Sequence, residues 1–378
     1  SYLTGNQPAA PLYDISYNTL FRRETHEYQA IFWDTTHAGL ADQLQAFAGT
    51  ETTSASTMEG TPLTTAAGPV FVYSGNGAQW FGMGKELLAD PLFRETVQEI
   101  DFFFTRYADW SLEKELSGQY GIDRYADTEI AQPALFAIQV GITRMLHERG
   151  VSPTVVTGHS VGEVAAAWAC GALSLEAAVQ VIYHRSRLQG TTKGQGQMTA
   201  VGLGESELQQ LLFALELADV LTIAGSNSNK GVTVAGSAEG LSALESALAN
   251  RNIFNKRLAL DYAFHSPAMD PLEPGIISAL ASLAPQTAPV SFYSTVTGGL
   301  LHGTALDAAY WWHNLRKPVQ FNRTIKQSLA DGLNVFIEIS PNAILRSYLQ
   351  DGLNETALSG RIITTGMRGD DTPQRITA

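Results

Sequence analysis

Cysteine is nearly absent from this chain, because Cys170 is the only one among 378 residues. A single thiol excludes an intrachain disulfide framework and any metal site built from several thiolates, so we expect no bound metal ion. A reducing compartment is the simpler interpretation of this scarcity, and we expect a cytoplasmic protein.

Basic residues are also few, and long apolar runs are missing. The 24 Lys and Arg residues are outnumbered by 37 Asp and Glu residues, so the formal net charge is −13. Nucleic-acid binding requires clustered cations that neutralise phosphates, so we expect no nucleic-acid partner. No apolar stretch approaches the roughly 20 residues that span a bilayer, and residues 1–11 lack the apolar segment of a signal peptide. We therefore expect no membrane association, and a start at Ser1 without Met predicts a fragment of a longer or processed protein.

Apolar residues are plentiful enough for a large folded core. Hydrophobic residues make up 44% of the chain and charged residues 16%, which is too apolar for disorder. At about 100–200 residues per domain, the length allows two or three domains.

The first half of the chain carries the patterns of a linker segment followed by an α/β sheet. Residues 1–50 hold short helical and strand patterns, whereas residues 50–69 are rich in Thr, Ser, Ala and Gly without periodicity and predict a linker. From Val70 onwards, β-branched strands run into glycine turns and helices, including a long apolar helix predicted over residues 133–147. This alternation predicts a sheet covered by helices on both faces.

The pattern changes near Gly194, where short strands alternate with helices and predict a small inserted α+β subdomain. The α/β pattern resumes after His265 and is predicted to end in a strand over residues 335–339. The polar residues after Arg368 predict a second linker.

The strongest local motif is the sequence Gly158-His159-Ser160-Val161-Gly162, which fits G-x-S-x-G directly after a β-branched run. A serine on a sharp turn between a strand and a helix is held exposed, with helix amides nearby that stabilise an oxyanion. The motif therefore predicts that Ser160 is a nucleophile, although so short a pattern also occurs by chance.

A nucleophilic serine needs a base, and eight histidines are available. The side chain of His159 is expected to point away from its neighbour Ser160. His265 follows an apolar run at the point where the chain leaves the small subdomain, which makes it a candidate base. A core or surface role for His265 remains open on spacing alone.

Arg185 lies 25 residues after Ser160, a distance that two packed helices can span. Arg187 points to the other side of the same predicted helix, so at most one of the two faces the serine. A buried guanidinium there suits a carboxylate, because its fork binds both oxygens. A structural role in capping or an ion pair is equally compatible with the sequence.

Glycine-rich loops do not support a nucleotide cofactor. Met83 follows Gly77-x4-Gly82 where a phosphate-binding loop needs Lys, and Trp80 occupies the third glycine position of a dinucleotide fingerprint that begins at Gly75. We expect no bound cofactor.

Taken together and in order, the motifs resemble the acyltransferase domain of type I polyketide synthases, which is related to malonyl-CoA:acyl-carrier-protein transacylases. The resemblance covers about residues 70–366. Its motifs are FVYSGNGAQW (71–80), GMG (82–84), QPALF (132–136), GHSVGE (158–163), RSR (185–187), YAFHS (262–266) and NLRKPV (314–319).

The resemblance implies an α/β fold with an insertion. A large α/β-hydrolase-like subdomain would comprise residues 66–196 and 263–366, with a small ferredoxin-like α+β subdomain inserted at residues 197–262. Residues 1–65 would form a small α/β linker domain between a ketosynthase and the acyltransferase, and residues 367–378 a linker after the acyltransferase.

The resemblance also implies catalytic roles. Ser160 would be the acylated nucleophile and His265 its base, and the backbone carbonyl of Asn314 would orient that histidine. The oxyanion would be held by the backbone amides of Val161 and Asn76. Asn76 stands where the family usually has Gln, and a backbone donor survives that change.

Substrate roles follow from the same resemblance. Arg185 would bind the free carboxylate of the extender unit, and Gln132 would line the pocket. The substrates would be an acyl-CoA, such as malonyl-CoA, and the phosphopantetheine thiol of an acyl carrier protein. A neighbouring ketosynthase domain of the same synthase would be a further partner.

Selectivity among extender units depends on the motif that contains Tyr262 and Phe264. Its sequence, Tyr-Ala-Phe-His, mixes the family's malonyl type, His-Ala-Phe-His, with its methylmalonyl type, Tyr-Ala-Ser-His. Phe264 should crowd an α-branch, and Val161 after the nucleophile also fits malonyl-type members. We expect malonyl, with a branched or broader range as the alternative.

Two other function classes remain open. A serine hydrolase, either an esterase or a patatin-like lipase that uses Ser and Asp, would share the turn at Ser160 but would not need Arg185. A non-catalytic docking domain with a degenerate site is the other, for which Asn76 is the hint.

Overall fold

The computed structural model of the chain describes residues 3, 10–24, 26–49, 57–60, 63 and 67–377. These residues divide into two compact units, one comprising the described residues up to Thr65 and the other those from residue 67 to Thr377.

The first unit contains a two-stranded antiparallel sheet and two helices. Its elements are α1 (Leu12–Phe21), β1 (Gln29–Phe32), α2 (His37–Ala48) and β2 (Thr57–Gly60). Helix α2 begins at a capping residue, since the side chain of Thr36 accepts a hydrogen bond from the amide of Gly39 at 3.0 Å.

Strand β2 lies inside the segment that was predicted to be a linker, so that prediction is wrong for residues 57–60. The strand depends on backbone pairing with β1, in which Phe32 lies opposite Thr57, and its four residues carry no strand alternation of their own. Residues 50–56, 61–62 and 64–66 of the predicted linker lie outside the described residues.

The second unit contains the other described strands and helices. In chain order, its strands are β3 (Val70–Tyr73), β4 (Val155–Gly158), β5 (Gln197–Val201), β6 (Leu221–Ser228), β7 (Gly231–Gly236), β8 (Asn255–Arg257), β9 (Ser291–Ser294), β10 (Gly299–Leu301), β11 (Val335–Ile339) and β12 (Arg361–Thr364). Its helices are α3 (Pro91–Phe104), α4 (Leu112–Leu116), α5 (Thr128–Glu148), α6 (Gly162–Ala169), α7 (Leu175–Gly190), α8 (Glu205–Ala214), α9 (Ala238–Ala249), α10 (Glu273–Ala279), α11 (Ala308–Arg316), α12 (Phe321–Ala330), α13 (Arg346–Asn354) and α14 (Pro373–Thr377).

A six-stranded sheet forms the centre of this unit, in the order β10-β9-β4-β3-β11-β12. Its strands are parallel except for β10, and every residue of the central strands β3 and β4 is buried. Such apolar runs are typical of strands that helices cover on both faces. Because β3 and β4 are parallel neighbours with Tyr73 opposite Gly158, the loops that follow them meet at one edge of the sheet.

Helix α5 is the longest described helix and is buried on nearly every side. It begins at Thr128, five residues before the predicted start, and Pro133 is accommodated inside it, so Gln132 lies within a rigid buried helix. Within the part of the chain that the structure describes, none of the helices combines the length and apolar composition needed to cross a bilayer.

The inserted part forms a four-stranded antiparallel sheet in the order β6-β7-β5-β8, connected as β5-α8-β6-β7-α9-β8. A buried cluster of leucine, valine and isoleucine side chains joins α8 and α9 to one face of this sheet. This connection order is that of a ferredoxin-like fold. A large α/β part that carries a ferredoxin-like insertion confirms the fold class expected from the resemblance.

The insertion is joined to the large part by backbone pairing at Val319. The amide of Val319 donates to the carbonyl of Ala224 at 2.9 Å, and the amide of Ser226 donates to the carbonyl of Val319 at 2.8 Å. These bonds form a parallel bridge between β6 and the segment that follows α11. The position of that segment is therefore tied to the insertion.

The end of the chain is more ordered than its polar composition predicted. Strand β12 pairs with β11, so the sheet ends one strand later than expected. Residues after Arg368 were predicted to be a linker, yet Asp371 and Ile376 are buried, and the Asp371 carboxylate accepts a hydrogen bond from the amide of Gly84. A buried acceptor and one apolar side chain are enough to fix a segment that has no hydrophobic periodicity.

The turn that follows β4 is packed directly against β3. Ser160 has φ 53°, in the left-handed region that non-glycine residues rarely adopt. A Cβ on Gly162 would lie 2.1 Å from the carbonyl oxygen of Tyr73, and one on Gly158 would lie 2.3 Å from the amide of Glu163. Both glycines of the motif are therefore required by close backbone approach, which holds Ser160 at its strained turn.

Replacement of Gly162 by alanine is expected to destabilise the protein by about 2–3 kcal/mol, because the new methyl group collides with backbone that cannot move aside. Gly190→Ala is the matched control, since it also changes a helical glycine but its Cβ would have Glu129 Oε2 as its nearest neighbour at 3.5 Å. The control should alter the free energy of unfolding by less than about 1 kcal/mol. Urea unfolding measures both, and equal midpoints would contradict the packing argument.

Candidate active site

The side chains of Ser160 and His265 meet at the carboxyl edge of the central sheet. Ser160 Oγ lies 2.7 Å from His265 Nε2, and both residues are buried. His265 has φ 58°, so both members of the pair occupy strained backbone conformations. Such strain at two adjoining residues is typical of a functional site.

A backbone carbonyl fixes the tautomer of His265. Its Nδ1 lies 2.9 Å from the carbonyl oxygen of Lys317, which can only accept, so Nδ1 carries the hydrogen and donates it. The lone pair of Nε2 therefore faces the Ser160 hydroxyl and can take its proton. The expectation that the carbonyl of Asn314 orients this histidine is wrong, because α11 ends at Arg316 and the extended residue that follows turns its own carbonyl towards the ring.

The surroundings of His265 favour its neutral form. Burial, together with the positive charge of Arg185, lowers the pKa of His265 to about 3, although its hydrogen bond to Lys317 opposes this shift. The neighbouring His159 turns away, as expected, with its Nε2 2.8 Å from Asn227 Oδ1. His265 is thus unprotonated at neutral pH, which is the state that a general base requires.

The guanidinium of Arg185 lies beside the serine and is only 1% exposed. It donates from NH2 to Ser160 Oγ at 3.0 Å, and from NH1 to Gln132 Oε1 at 2.6 Å and Gln189 Oε1 at 2.8 Å. Its Nε donates to Asn314 Oδ1 at 3.0 Å. Burial lowers the pKa of Arg185 and the charge of Glu163 opposes that effect, so a protonated guanidinium is held next to the nucleophile.

Asn314 connects this cation to the turn and to a buried carboxylate. Its Nδ2 donates to the carbonyl of Ser160 at 3.0 Å and to Glu163 Oε2 at 2.7 Å. Glu163 also accepts from the Tyr310 hydroxyl at 2.7 Å and from the amide of Thr295 at 2.5 Å. Burial raises the pKa of Glu163, and these donors oppose the shift.

The predicted oxyanion donors lie on the two loops that meet at this edge. Val161 is the N-cap residue of α6, and Asn76 is half-buried in the loop after β3. A Cβ on Gly75 would lie 2.6 Å from the carbonyl oxygen of His159, so the loop that carries Asn76 touches the turn. Helix amides that point at such a position stabilise a developing negative charge.

Two aromatic residues lie within three positions before His265 in the chain. Tyr262 and Phe264 are buried and stacked, with ring centroids 4.9 Å apart and an interplanar angle of 12°. The Tyr262 hydroxyl accepts a hydrogen bond from the amide of Thr128 at 3.4 Å. The stacked pair is therefore hydrogen-bonded to the start of α5, the helix that also carries Gln132.

The structure brings together most of the site residues that the sequence singled out. It also places three further residues at the site that the sequence analysis did not name, which are Gln189, Glu163 and Lys317. Gln189 lies one helical turn after Arg185, a spacing at which α-helical side chains share a face, so the sequence contained a signal for it. Glu163 is the last residue of the GHSVGE motif, but nothing in its type indicated a contact with Asn314. Lys317 acts through its backbone carbonyl, for which residue type gives no signal.

The low pKa of His265 predicts how Ser160 reacts with pH. Protonation at Nε2 abolishes the base, so with a pKa of about 3 the rate of Ser160 labelling by a fluorophosphonate should stay level from pH 8 down to about pH 5. An ordinary histidine, with a pKa of about 6.5, would lose roughly tenfold in rate near pH 5.5. Stopped-time labelling followed by mass spectrometry measures the rate, with Ser160→Ala as the unlabelled control. An acid limb near pH 6.5 would contradict the low pKa.

Comparisons with known proteins match most of this chain to one family. A family described as "Acyl transferase domain" matches residues 70–375. The chain is 36% identical over 380 residues to polyketide synthase GfsB of Streptomyces halstedii, covering 98% of this chain and 7% of that protein. It is 33% identical over 353 residues to erythronolide synthase EryA2 of Saccharopolyspora erythraea, covering 92% of this chain and 10% of that one.

A comparison with solved structures also finds similarity to polyketide synthase acyltransferase domains. The acyltransferase domain from module 8 of the salinomycin polyketide synthase superposes with a TM-score of 0.92 at 31% identity, covering 98% of this chain and 88% of that one. The first curated relatives are far longer than this chain, which spans a tenth of their length or less.

Proposed function

This chain belongs to the acyl transferase domain family, and from that premise we propose that it loads an extender unit from coenzyme A onto an acyl carrier protein in polyketide synthesis. The observation that carries the proposal is a buried, protonated Arg185 within 3.0 Å of a nucleophilic serine. A guanidinium in that position suits an acyl group with a free carboxylate. A plain esterase has no use for such a cation.

The first half-reaction is the acylation of Ser160. His265 Nε2 takes the hydroxyl proton while Ser160 Oγ attacks the thioester carbonyl, and the backbone amides of Asn76 and Val161 hold the oxyanion. The C–S bond then breaks, and the departing thiolate of coenzyme A receives the proton from His265. The acyl group remains as an ester on Ser160.

The second half-reaction reverses these roles. His265 takes the proton of the phosphopantetheine thiol, the thiolate attacks the ester carbonyl, and Ser160 recovers the proton as its C–O bond breaks. Throughout, the carboxylate on Arg185 fixes the pose of the acyl group. The partner of this step is the carrier protein, and a ketosynthase domain of the same synthase in the cytoplasm would use the loaded extender.

We propose malonyl as the preferred acyl group. Phe264 directly precedes His265 in the chain and its buried ring is stacked on Tyr262, so we expect it to crowd an α-branch. Gln132 accepts a hydrogen bond from the Arg185 guanidinium and would line the pocket on that side. One methylene is worth only about 1–3 kcal/mol of discrimination, so the preference is one of degree.

The proposal is tested by intact-mass spectrometry after incubation with malonyl-CoA and then with a phosphopantetheinylated carrier protein. We expect a malonyl adduct that is absent in Ser160→Ala and that moves to the carrier. Release of malonate without transfer would favour a serine hydrolase, and no adduct at all would favour a non-catalytic domain.

Arg185→Ala should lower kcat/KM for malonyl-CoA by about 10- to 100-fold, because charge-assisted hydrogen bonds to the carboxylate are lost. Acetyl-CoA has no carboxylate, so its use should be spared or improved. Arg187→Ala is the matched control, since Arg187 lies on the same helix but is exposed. An equal loss for both acyl groups would refute the carboxylate role.

Phe264→Ser should raise the ratio of methylmalonyl to malonyl transfer by about tenfold, because it removes the ring that crowds the α-branch. Tyr262→Phe serves as the control, since it keeps the stacked ring and removes only the hydroxyl. Competition between the two acyl-CoAs measures the ratio. An unchanged ratio in Phe264→Ser would exclude that ring as the selective element.

A further inference from the structure

We propose that Glu163, acting through the side-chain amide of Asn314, is a positioning residue that fixes the Arg185 guanidinium for binding of the substrate carboxylate. The inference rests on the proposed function and deepens it. Neither residue touches the acyl group in this account; each acts through its neighbour.

The orientation of the Asn314 amide is determined twice over. The Nε–H of Arg185 can only donate, so the atom that faces it must be Oδ1. The carbonyl of Ser160 can only accept, so the atom that faces it must be Nδ2. One side chain thus links the cation to the backbone of the nucleophile, and a turned amide would break both bonds.

Glu163 supplies the third contact of that amide. Its Oε2 accepts from Asn314 Nδ2 at 2.7 Å and from the Tyr310 hydroxyl at 2.7 Å, while Oε1 accepts from the amide of Thr295 at 2.5 Å. Glu163 is fully buried, and it lies in the first turn of α6, three residues after Ser160. The Glu163 carboxylate therefore connects the Asn314 side chain to helix α6, which begins directly after Ser160.

The contact matters because it controls one edge of the guanidinium. Gln132 and Gln189 hold NH1, and NH2 faces Ser160, whereas Nε is held by Asn314. These contacts use four of the five guanidinium N–H donors, so one hydrogen on the nitrogen that faces Ser160 is left for the substrate carboxylate, and the plane of the guanidinium sets its direction. Without Glu163, the Asn314 amide loses its bond to α6 and keeps only those to Arg185 and Ser160, so we expect it to hold the Nε edge of the guanidinium less firmly.

The decisive experiment is a double-mutant cycle on Ser160 acylation. Glu163→Met removes the acceptor at nearly constant length, Glu163→Gln keeps one oxygen that can face Asn314, and each is combined with Arg185→Ala. The readout is the ratio of acylation rates with malonyl-CoA and acetyl-CoA. Thermal unfolding of each variant shows whether it is folded.

We expect Glu163→Met to lower the malonyl-to-acetyl ratio by about tenfold and Glu163→Gln by about twofold, with no further fall in the Arg185→Ala background. An equal slowing of both acyl groups, or an effect that persists without Arg185, would show a purely structural carboxylate and overturn the inference.

Tyr310→Phe covers the case in which Glu163→Met does not fold. It keeps the ring and removes one donor to Glu163 Oε2, so it should lower the same ratio by about twofold to threefold, again only when Arg185 is present. An unchanged ratio in a folded variant overturns the inference. If wild-type protein forms no malonyl adduct on Ser160, the proposed function itself fails, which is distinct from an adduct that forms normally and a ratio that Glu163 does not alter.

Discussion

Burial of one positive charge is the constraint on which the rest of the site depends. A guanidinium removed from water loses several kcal/mol of hydration unless its N–H groups find acceptors. Arg185 finds them on Gln132, Gln189, Asn314 and the nucleophile itself. Burial is the main reason that the pKa of His265 is low, and the charge of Arg185 lowers it further because it disfavours a second cation nearby. Burial of Arg185 and of His265 therefore sets the charge of both groups beside Ser160.

Strand order explains why these groups can meet at all. The turn that carries Ser160 and the loop that carries Asn76 follow neighbouring parallel strands, so both emerge at one sheet edge. Contact between the two backbones is close enough that glycine is needed at 75 and 162. Helix α6 begins directly after this turn, so its amino end lies at the same edge. A left-handed serine is the local consequence of this crowding.

The sequence predicted those features that depend on side-chain type or on spacing along the chain. The turn at Ser160 and the inserted α+β part belong to this class, since each follows from a motif or a period. Helical spacing indicated only that at most one of Arg185 and Arg187 faces the serine, and the choice of Arg185 came from the family resemblance. The sequence did not predict that the carbonyl of Lys317 accepts the hydrogen bond from His265. Every residue has the same backbone oxygen, and the position at which α11 ends determines that Lys317 supplies it. Strand β2 was missed for a similar reason, as its pairing depends on backbone geometry and not on apolar alternation.

The bridge at Val319 connects the inserted subdomain to the backbone that holds His265. Val319 is hydrogen-bonded through its backbone to strand β6. Two residues before it, the carbonyl of Lys317 fixes the tautomer of His265. A shift of the insertion by a fraction of a hydrogen-bond length would be transmitted over three residues to the imidazole. Variants in which the inserted subdomain is exchanged for that of a related domain should therefore keep the pairing at residues 224–226, because its loss would move the Lys317 carbonyl relative to the imidazole.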